Sequence, residues 1–273
     1  KTNDVSIPKF YMRRILRIWP LYYVYMILAI VAVVCLNSPM DESVWYYTFF
    51  SGNISFALGI GLIPLFHYWS LGVEEQYYLW YPWVAKYGKK HLLTIVIVLC
   101  VLWFSMKMGS YVAFGKGLVY RLLSITRFDC MMIGAIGAIL YYKKAAWFIR
   151  MCANRVVVIL AWVLFFTSGL YAQYIPAPIR AEYISVVSLF VIMAGLVSKP
   201  LLENRVMNYL GKISYGIYVI HPLLIFVGSW IVKSTGMLSN AYGGGHWVVF
   251  ASVSALTIAL ASLSYKYLEL PFL

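Results

Sequence analysis

Two adjacent carboxylates, Glu74 and Glu75, stand in the stretch His67-Tyr-Trp-Ser-Leu-Gly-Val-Glu-Glu-Gln-Tyr-Tyr-Leu-Trp-Tyr-Pro82, which is otherwise apolar and aromatic. An acidic side chain is costly inside hydrocarbon, so within a membrane span it faces a protein interior or a water-filled cavity and marks a site. On a helix the two diverge by roughly 100° and cannot point the same way. Glu74 shares its face with Ser70, Tyr77, Tyr78 and Tyr81, a stripe of hydroxyls. Glu75 keeps company with Leu71, Leu79 and Pro82, where a carboxyl is either protonated or paired across helices. A carboxylate on a hydroxyl stripe can orient a base or balance its charge during proton transfer. The other use for such a group is a structural ion pair with an Arg from another span.

Three further groups could do chemistry. Arg14 and Arg17 lie three apart in Lys9-Phe-Tyr-Met-Arg-Arg-Ile-Leu-Arg-Ile-Trp-Pro20 and share a helix face. Their guanidinium forks suit the phosphates of a cytosolic cofactor; equally, basic residues beside a span anchor it to anionic headgroups. Arg127-Phe-Asp129 precedes Gly134, Ala135, Gly137 and Ala138, small residues that allow close helix packing. Two apart on a helix, Arg127 and Asp129 point away from each other and need partners on different helices; Glu74 is one partner open to Arg127. Ser214, Tyr218 and His221 fall at i, i+4 and i+7, one polar face, and Pro222 leaves the Tyr218 carbonyl without its usual donor.

These residues need a scaffold that holds polar groups in an apolar medium. Of the 273 residues 63% are hydrophobic, 18% aromatic and only 11% charged, which excludes an ordinary soluble domain. Runs of about twenty apolar residues recur along the chain without the alternation of a barrel strand. The fold expected is all-α, a polytopic transmembrane helix bundle forming one domain over 1–273. Its eight spans are placed near 15–36, 68–86, 92–108, 121–142, 155–172, 182–198, 211–232 and 246–266.

A net charge of +13 first brings nucleic acid to mind, but the basic residues alternate by loop, as membrane topology requires. Lys1, Lys9, Arg13, Arg14 and Arg17 fall on one side with Lys86 to Lys90, Lys143 to Arg155, Lys199, Arg205, Lys212 and Lys266. The opposite loops hold Lys107, Lys116, Arg121, Arg180 and Lys233. Both termini of this chain are therefore expected in the cytoplasm, with Glu74, Arg127 and Asp129 in the outer half of the membrane, away from Arg14 and Arg17. No nucleic-acid partner is expected.

The connection over 37–66 has no Lys or Arg, carries Asp41, Glu42 and several glycines, and should be partly helical, packed at the outer surface as a cap. Glu269, in the closing Tyr267-Leu-Glu-Leu-Pro-Phe272, is expected to pair with a basic loop residue. Cys35, Cys100, Cys130 and Cys152 show neither metal-ligand spacing nor a disulfide framework and are read as packing residues; no metal is expected. The first residues are Lys-Thr-Asn-Asp rather than Met, as in a piece of a longer protein.

Together the stretches resemble the acyltransferase-3 family of membrane O-acyltransferases. The resemblance rests on Arg13-Arg-x-x-Arg-Ile-x-Pro20, Trp69-Ser-Leu-Gly-Val-Glu-Glu-Gln-Tyr-Tyr-Leu79, Arg127-Phe-Asp129, Ser214-Tyr-Gly-Ile-Tyr-x-x-His-Pro222 and the final Tyr-x-Glu-x-Pro. It implies transfer of an acyl group, usually acetyl from acetyl-CoA, to a hydroxyl of a cell-surface carbohydrate or lipid-linked sugar in a bacterial cytoplasmic membrane. No permanently bound cofactor is implied; acyl-CoA, the glycan acceptor and membrane lipids are the partners. The resemblance assigns the CoA phosphates to Arg14 and Arg17 and catalysis to Glu74, Arg127 and His221. It puts Trp69, Tyr78, Asp129, Ser214, Tyr215 and Tyr218 at the substrate. It also implies helices upstream of residue 1, one bearing an Arg and the His expected as catalytic base. The rival class is a transporter or flippase using Glu74, Arg127, Asp129 and His221 as a proton or substrate pathway.

Overall fold

A computed structural model of the chain describes residues 6–197, 204–235 and 245–272. Lys1 and Lys199, counted above for topology, lie outside them. The described residues are predominantly helical, with no strand among them. In order the helices are α1 Ile7–Cys35, α2 Ser43–Thr48, α3 Gly52–Leu58, α4 Tyr68–Gly88, α5 Leu92–Phe114 and α6 Leu118–Thr126. Then come α7 Phe128–Tyr142, α8 Ala146–Ala153, α9 Arg155–Tyr171, α10 Ala177–Val197, α11 Arg205–Thr235 and α12 Gly245–Ser264.

Among the described residues, seven helical segments are long and apolar enough to cross a membrane. One of them, Ile63–Phe114, has 52 residues and holds two of the eight expected spans. It breaks where Lys89 turns to φ 41°, between α4 and α5. Every expected span overlaps an observed helix, and the chain is an integral membrane protein of the all-α class.

Helix surfaces confirm the solvent. On α9 the side chains of Val156, Ile159, Leu160, Val163, Phe166 and Leu170 are exposed, and the only buried residue is Ala161. A helix that turns its large apolar residues outward is stable only against lipid. Asn154 starts it by accepting hydrogen bonds from the amides of Val156 (2.9 Å) and Val157 (3.4 Å).

The chain forms two compact units, residues 1–78 with 204–273 and residues 79–203. In the first, Tyr22, Tyr25, Tyr47, Leu62, Leu65, Tyr68 and Val219 form the core, drawn from α1, the 37–66 connection, α4 and α11. Tyr22 and Tyr68 stack with ring centroids 4.2 Å apart. In the second, Leu189 of α10 occupies the space left by Gly137 of α7, so part of the small-residue pattern serves packing; Gly134 has no close neighbour. All four thiols are free. Cys152 is wholly buried beside Phe148 and Met193, and that burial pushes its thiol above the usual range.

The 37–66 connection departs from expectation. It is partly helical, as α2 and α3, but it is not a cap confined to the outer surface, because it packs against the middle of α1. The Tyr22 hydroxyl donates to the Tyr47 carbonyl (2.6 Å), Tyr23 to Thr48 (3.0 Å) and Tyr25 to Pro64 (2.9 Å). Gln76 of α4 donates to the carbonyl of Phe50 at 3.0 Å. Irregular backbone at membrane depth survives only when its polar groups are satisfied by protein. The tyrosines of α1 do that here, which accounts for their density in an apolar helix.

Candidate functional site

The site in the first unit is a polar column on α4. From Tyr78 back to Ser70 is eight residues, about 12 Å of helix. At one end the Arg14 guanidinium lies over the Tyr78 ring, 4.5 Å from its centroid, and also over Phe10 at 5.4 Å. Stacking of this kind contributes about 0.5–2 kcal/mol and fixes the planar head while leaving N–H groups at its edge. Arg17, one turn on, is exposed. The Tyr78 hydroxyl donates to Glu74 at 3.5 Å. Glu75 turns the other way and accepts from the Trp19 indole N–H at 3.4 Å, its second oxygen buried without a hydrogen bond.

This arrangement overturns the expected separation of the arginines from Glu74. Arg14, Tyr78 and Glu74 occupy the same level of the unit, and no ion pair joins Glu74 to Arg14 or Arg17. The cause is the connection just described: it descends along α1 before α4 begins, so the carboxylates reach the arginine-bearing half. A loop's depth is a tertiary property.

At the other end of the column the Ser70 and Tyr218 hydroxyls are hydrogen-bonded, and Tyr218 donates to the His67 carbonyl at 3.0 Å. His221 packs beside them, its ring centroid 5.9 Å from that of His67 and 6.1 Å from that of Tyr218. Its Nδ1 lies 3.1 Å from the Ile217 carbonyl. A carbonyl only accepts, so Nδ1 carries the proton and Nε2 the basic lone pair. Tyr215 donates to the Ile18 carbonyl at 2.8 Å, tying α11 to α1. Ser214 is exposed and donates to Gly211 of its own helix at 2.9 Å, while α11 runs on through Pro222. Trp69 packs on Phe56 of α3 with centroids 5.9 Å apart.

Two residues of the column carry no assignment from the sequence. His67 precedes the motif, and its ring nitrogens are buried with no hydrogen bond among the described residues. Trp19 gave no signal beyond its place beside Pro20. Glu269 also differs from expectation: it is 3% exposed and accepts from the Ser264 hydroxyl at 3.4 Å, with no ion pair among the described residues. Its place inside the unit, against Gly216, keeps it from the basic loops.

Arg127 and Asp129 belong to the second unit. Arg127 is not inside a helix: at φ 49° it is the left-handed residue that ends α6 and begins α7, so the helical-face argument for the pair fails. Asp129 starts α7, accepts from the Cys130 amide (2.9 Å) and takes Lys107 of α5 at 2.9 Å. Lys107 also bonds Glu182 of α10. Lys107 was assigned to an outer loop by charge counting, yet it is 2% exposed and inside a helix. Glu182 carries no local signal in the sequence, because it stands at the edge of the expected 182–198 span, where an acid is unremarkable. Asp129, Cys130 and Glu182 bring three metal-ligand atoms within 4.8 Å of one another, but the Lys107 ammonium bonds both carboxylates and supplies their cation.

Membrane helices, an arginine-headed carboxylate column and paired hydroxyls define a polytopic membrane protein with a polar site inside its first unit. The chain belongs to the acyltransferase domain family, which matches residues 1–266. Among its relatives, the peptidoglycan O-acetyltransferase OatA of Listeria monocytogenes is 25% identical over 309 residues, covering 99% of this chain and 47% of that protein. The O-acetyltransferase OatA of Staphylococcus aureus is 23% identical over 304 residues, covering 99% and 48%. The chain thus spans about half the length of these curated relatives. No solved structure matches it.

Proposed function

We propose that this chain is the membrane domain of a bacterial O-acetyltransferase, which moves an acetyl group from acetyl-CoA to a hydroxyl of a cell-wall sugar. The observation that carries the proposal is the polar column on α4, with Arg14, Tyr78 and Glu74 in contact at one end and Ser70, Tyr218 and His221 in contact at the other. Arg14 and Arg17 hold the CoA phosphates at the cytoplasmic end, where guanidinium forks pair with phosphate oxygens. Both termini of the chain face the cytoplasm, and the membrane is the cytoplasmic one. Ser70 and Tyr218 line the end where the acyl group and the acceptor hydroxyl meet, and Trp69 and Tyr215 complete the substrate residues.

An imidazole takes the acceptor hydroxyl's proton as its oxygen attacks the thioester carbonyl, and the proton passes on to the departing CoA thiolate. In this chain His221 offers Nε2 for that task; the upstream His implied by the resemblance is a second imidazole for it. Glu74 orients the imidazole or balances its charge.

The test uses the full-length protein in proteoliposomes with radiolabelled acetyl-CoA and a cell-wall glycan acceptor. Labelled acetyl ester on the glycan with matching release of CoA thiol is the expected result. Transport of the glycan across the bilayer without thiol release would overturn the proposal in favour of a transporter.

A further inference from the structure

α8 turns the corner between α7 and α9 in the second unit, and its two faces differ in kind. Phe148 and Cys152, four apart, are buried with Met193, and Leu189 and Val197 of α10 pack around them. On the opposite face Trp147 is 59% exposed, and Arg150, three residues on, is exposed with it. Lys143 and Lys144 lead into the helix and Arg155 follows it, all three exposed. With eight residues α8 is too short to cross a bilayer, and it joins two candidate spans, Leu118–Tyr142 and Arg155–Tyr174, where one ends and the next begins. An amphipathic helix in that place lies along the membrane surface.

The cations of this corner have no acid to answer them. Residues 79–197 contain two acids, Asp129 and Glu182, and Lys107 holds both. Lys143, Lys144, Arg150 and Arg155 form no ion pair among the described residues. Arg150 donates from Nε to the Ala146 carbonyl at 3.2 Å, which curls its guanidinium back along α8 and leaves the terminal amino groups for another acceptor. Lys144 stands in the left-handed region at φ 52°, where the amides of Lys144 and Ala145 close the end of α7 on the carbonyls of Tyr141 and Leu140, both at 3.0 Å. Glycine is the usual residue at that position because a Cβ is strained there; here the strained position carries a charge. Just beyond Arg155, α9 turns Val156, Ile159 and Leu160 outward, so the cations border a lipid-facing surface.

We propose that the α8 corner binds anionic phospholipid headgroups, their phosphates taken by Arg150, Arg155 and the two lysines, with Trp147 at the level of the headgroups. Charge selects the headgroup: a zwitterionic lipid brings its own ammonium, which four uncompensated cations repel, whereas an anionic one brings net negative charge. Position selects the source, because a soluble phosphate covers neither Trp147 nor the apolar start of α9, and a lipid covers both. Each Lys or Arg beside an anionic membrane surface is worth about fivefold in binding. Lipid binding at this corner is independent of the acetyl-transfer reading above.

Native mass spectrometry of the full-length protein in neutral detergent, titrated with phosphatidylglycerol or with phosphatidylcholine of the same chain length, reads the retained lipid directly. Phosphatidylglycerol should bind at least about tenfold more tightly. The quadruple variant Lys143→Gln, Lys144→Gln, Arg150→Gln, Arg155→Gln should cut that preference to about threefold or less, and Arg150→Gln alone should weaken it about three- to fivefold. Lys116→Gln removes an exposed cation at the other end of the Leu118–Tyr142 span and should leave the preference unchanged, which controls for net charge. Glycerol 3-phosphate in large excess should not displace the lipid. Should the quadruple variant fail to fold, Arg150→Gln carries the test, since its side chain is exposed and bonded only to its own helix. Equal binding of the two lipids, a preference that survives the corner substitutions, an equal loss with Lys116→Gln, or displacement by glycerol 3-phosphate would each overturn the proposal.

Discussion

The Arg14 guanidinium lies 4.5 Å from the centroid of the Tyr78 ring, and the Tyr78 hydroxyl reaches Glu74 one turn back along α4. One aromatic ring thereby links a phosphate-type cation to an intramembrane carboxylate. A donor held at Arg14 would end beside the residue best placed to manage a proton, and the first two predictions depend on this link.

Glu74→Gln keeps the shape and removes the charge. Surface O-acetylation by the full-length protein should fall about 10²–10⁴-fold at normal expression, the usual worth of assisted proton transfer. Unchanged acetylation would show that Glu74 is a structural carboxylate.

Arg14→Lys and Arg17→Lys keep the charge but lose the planar fork, and Arg14→Lys also loses its stacking on Tyr78. The KM for acetyl-CoA should rise about tenfold or more with Arg14→Lys and with the double variant. If KM holds in both, these arginines only anchor α1 to the headgroups.

Lys107→Met leaves Asp129 and Glu182 buried without their cation, and should cost about 3–5 kcal/mol in thermal denaturation in detergent. The triple variant Lys107→Met, Asp129→Asn, Glu182→Gln should recover most of that loss, because no unpaired charge remains. A triple variant no more stable than the single would argue that the trio is not coupled.

Gly72 sits where a Cβ would meet the Phe50 carbonyl oxygen at 2.7 Å. The obstacle is backbone and cannot rotate away, so Gly72→Ala should destabilise the first unit by about 1–3 kcal/mol and loosen the 37–66 connection. Faster proteolysis within that connection would register it; a wild-type cleavage pattern and melting point would contradict it.

Cys152 is buried and its thiol is pushed up, whereas Cys35 is exposed. Since the thiolate is the nucleophile, a raised thiol holds less of it at mildly alkaline pH. Mass spectrometry after brief iodoacetamide treatment in detergent should find Cys35 alkylated well before Cys152, and equal labelling would contradict the placement.

The spans were legible in the sequence because crossing hydrocarbon demands about twenty apolar residues, and that demand is written locally. So was the divergence of Glu74 and Glu75, a consequence of helical pitch that the structure repeats with Tyr78 on one side and Trp19 on the other. The alignment of Ser70 with the hydroxyl stripe was legible for the same reason, although its meeting with Tyr218, 148 residues away, was not.

Tertiary structure alone decided the depth of Glu74. Nothing local marks a connection that descends along α1, because its carbonyls are satisfied by the hydroxyls of Tyr22, Tyr23 and Tyr25, which precede it by 25 to 39 residues. It also decided Lys107, whose charge reads as a loop residue until Asp129 and Glu182 arrive from two other helices to bury it. The break at Arg127 was hidden as well, since a left-handed residue is usually announced by Gly or Asn and here is an arginine. Sequence determines which segments enter the membrane, because that is a property of each segment's own surface. Which polar groups meet there depends on how separate helices pack, and only the folded chain decides it.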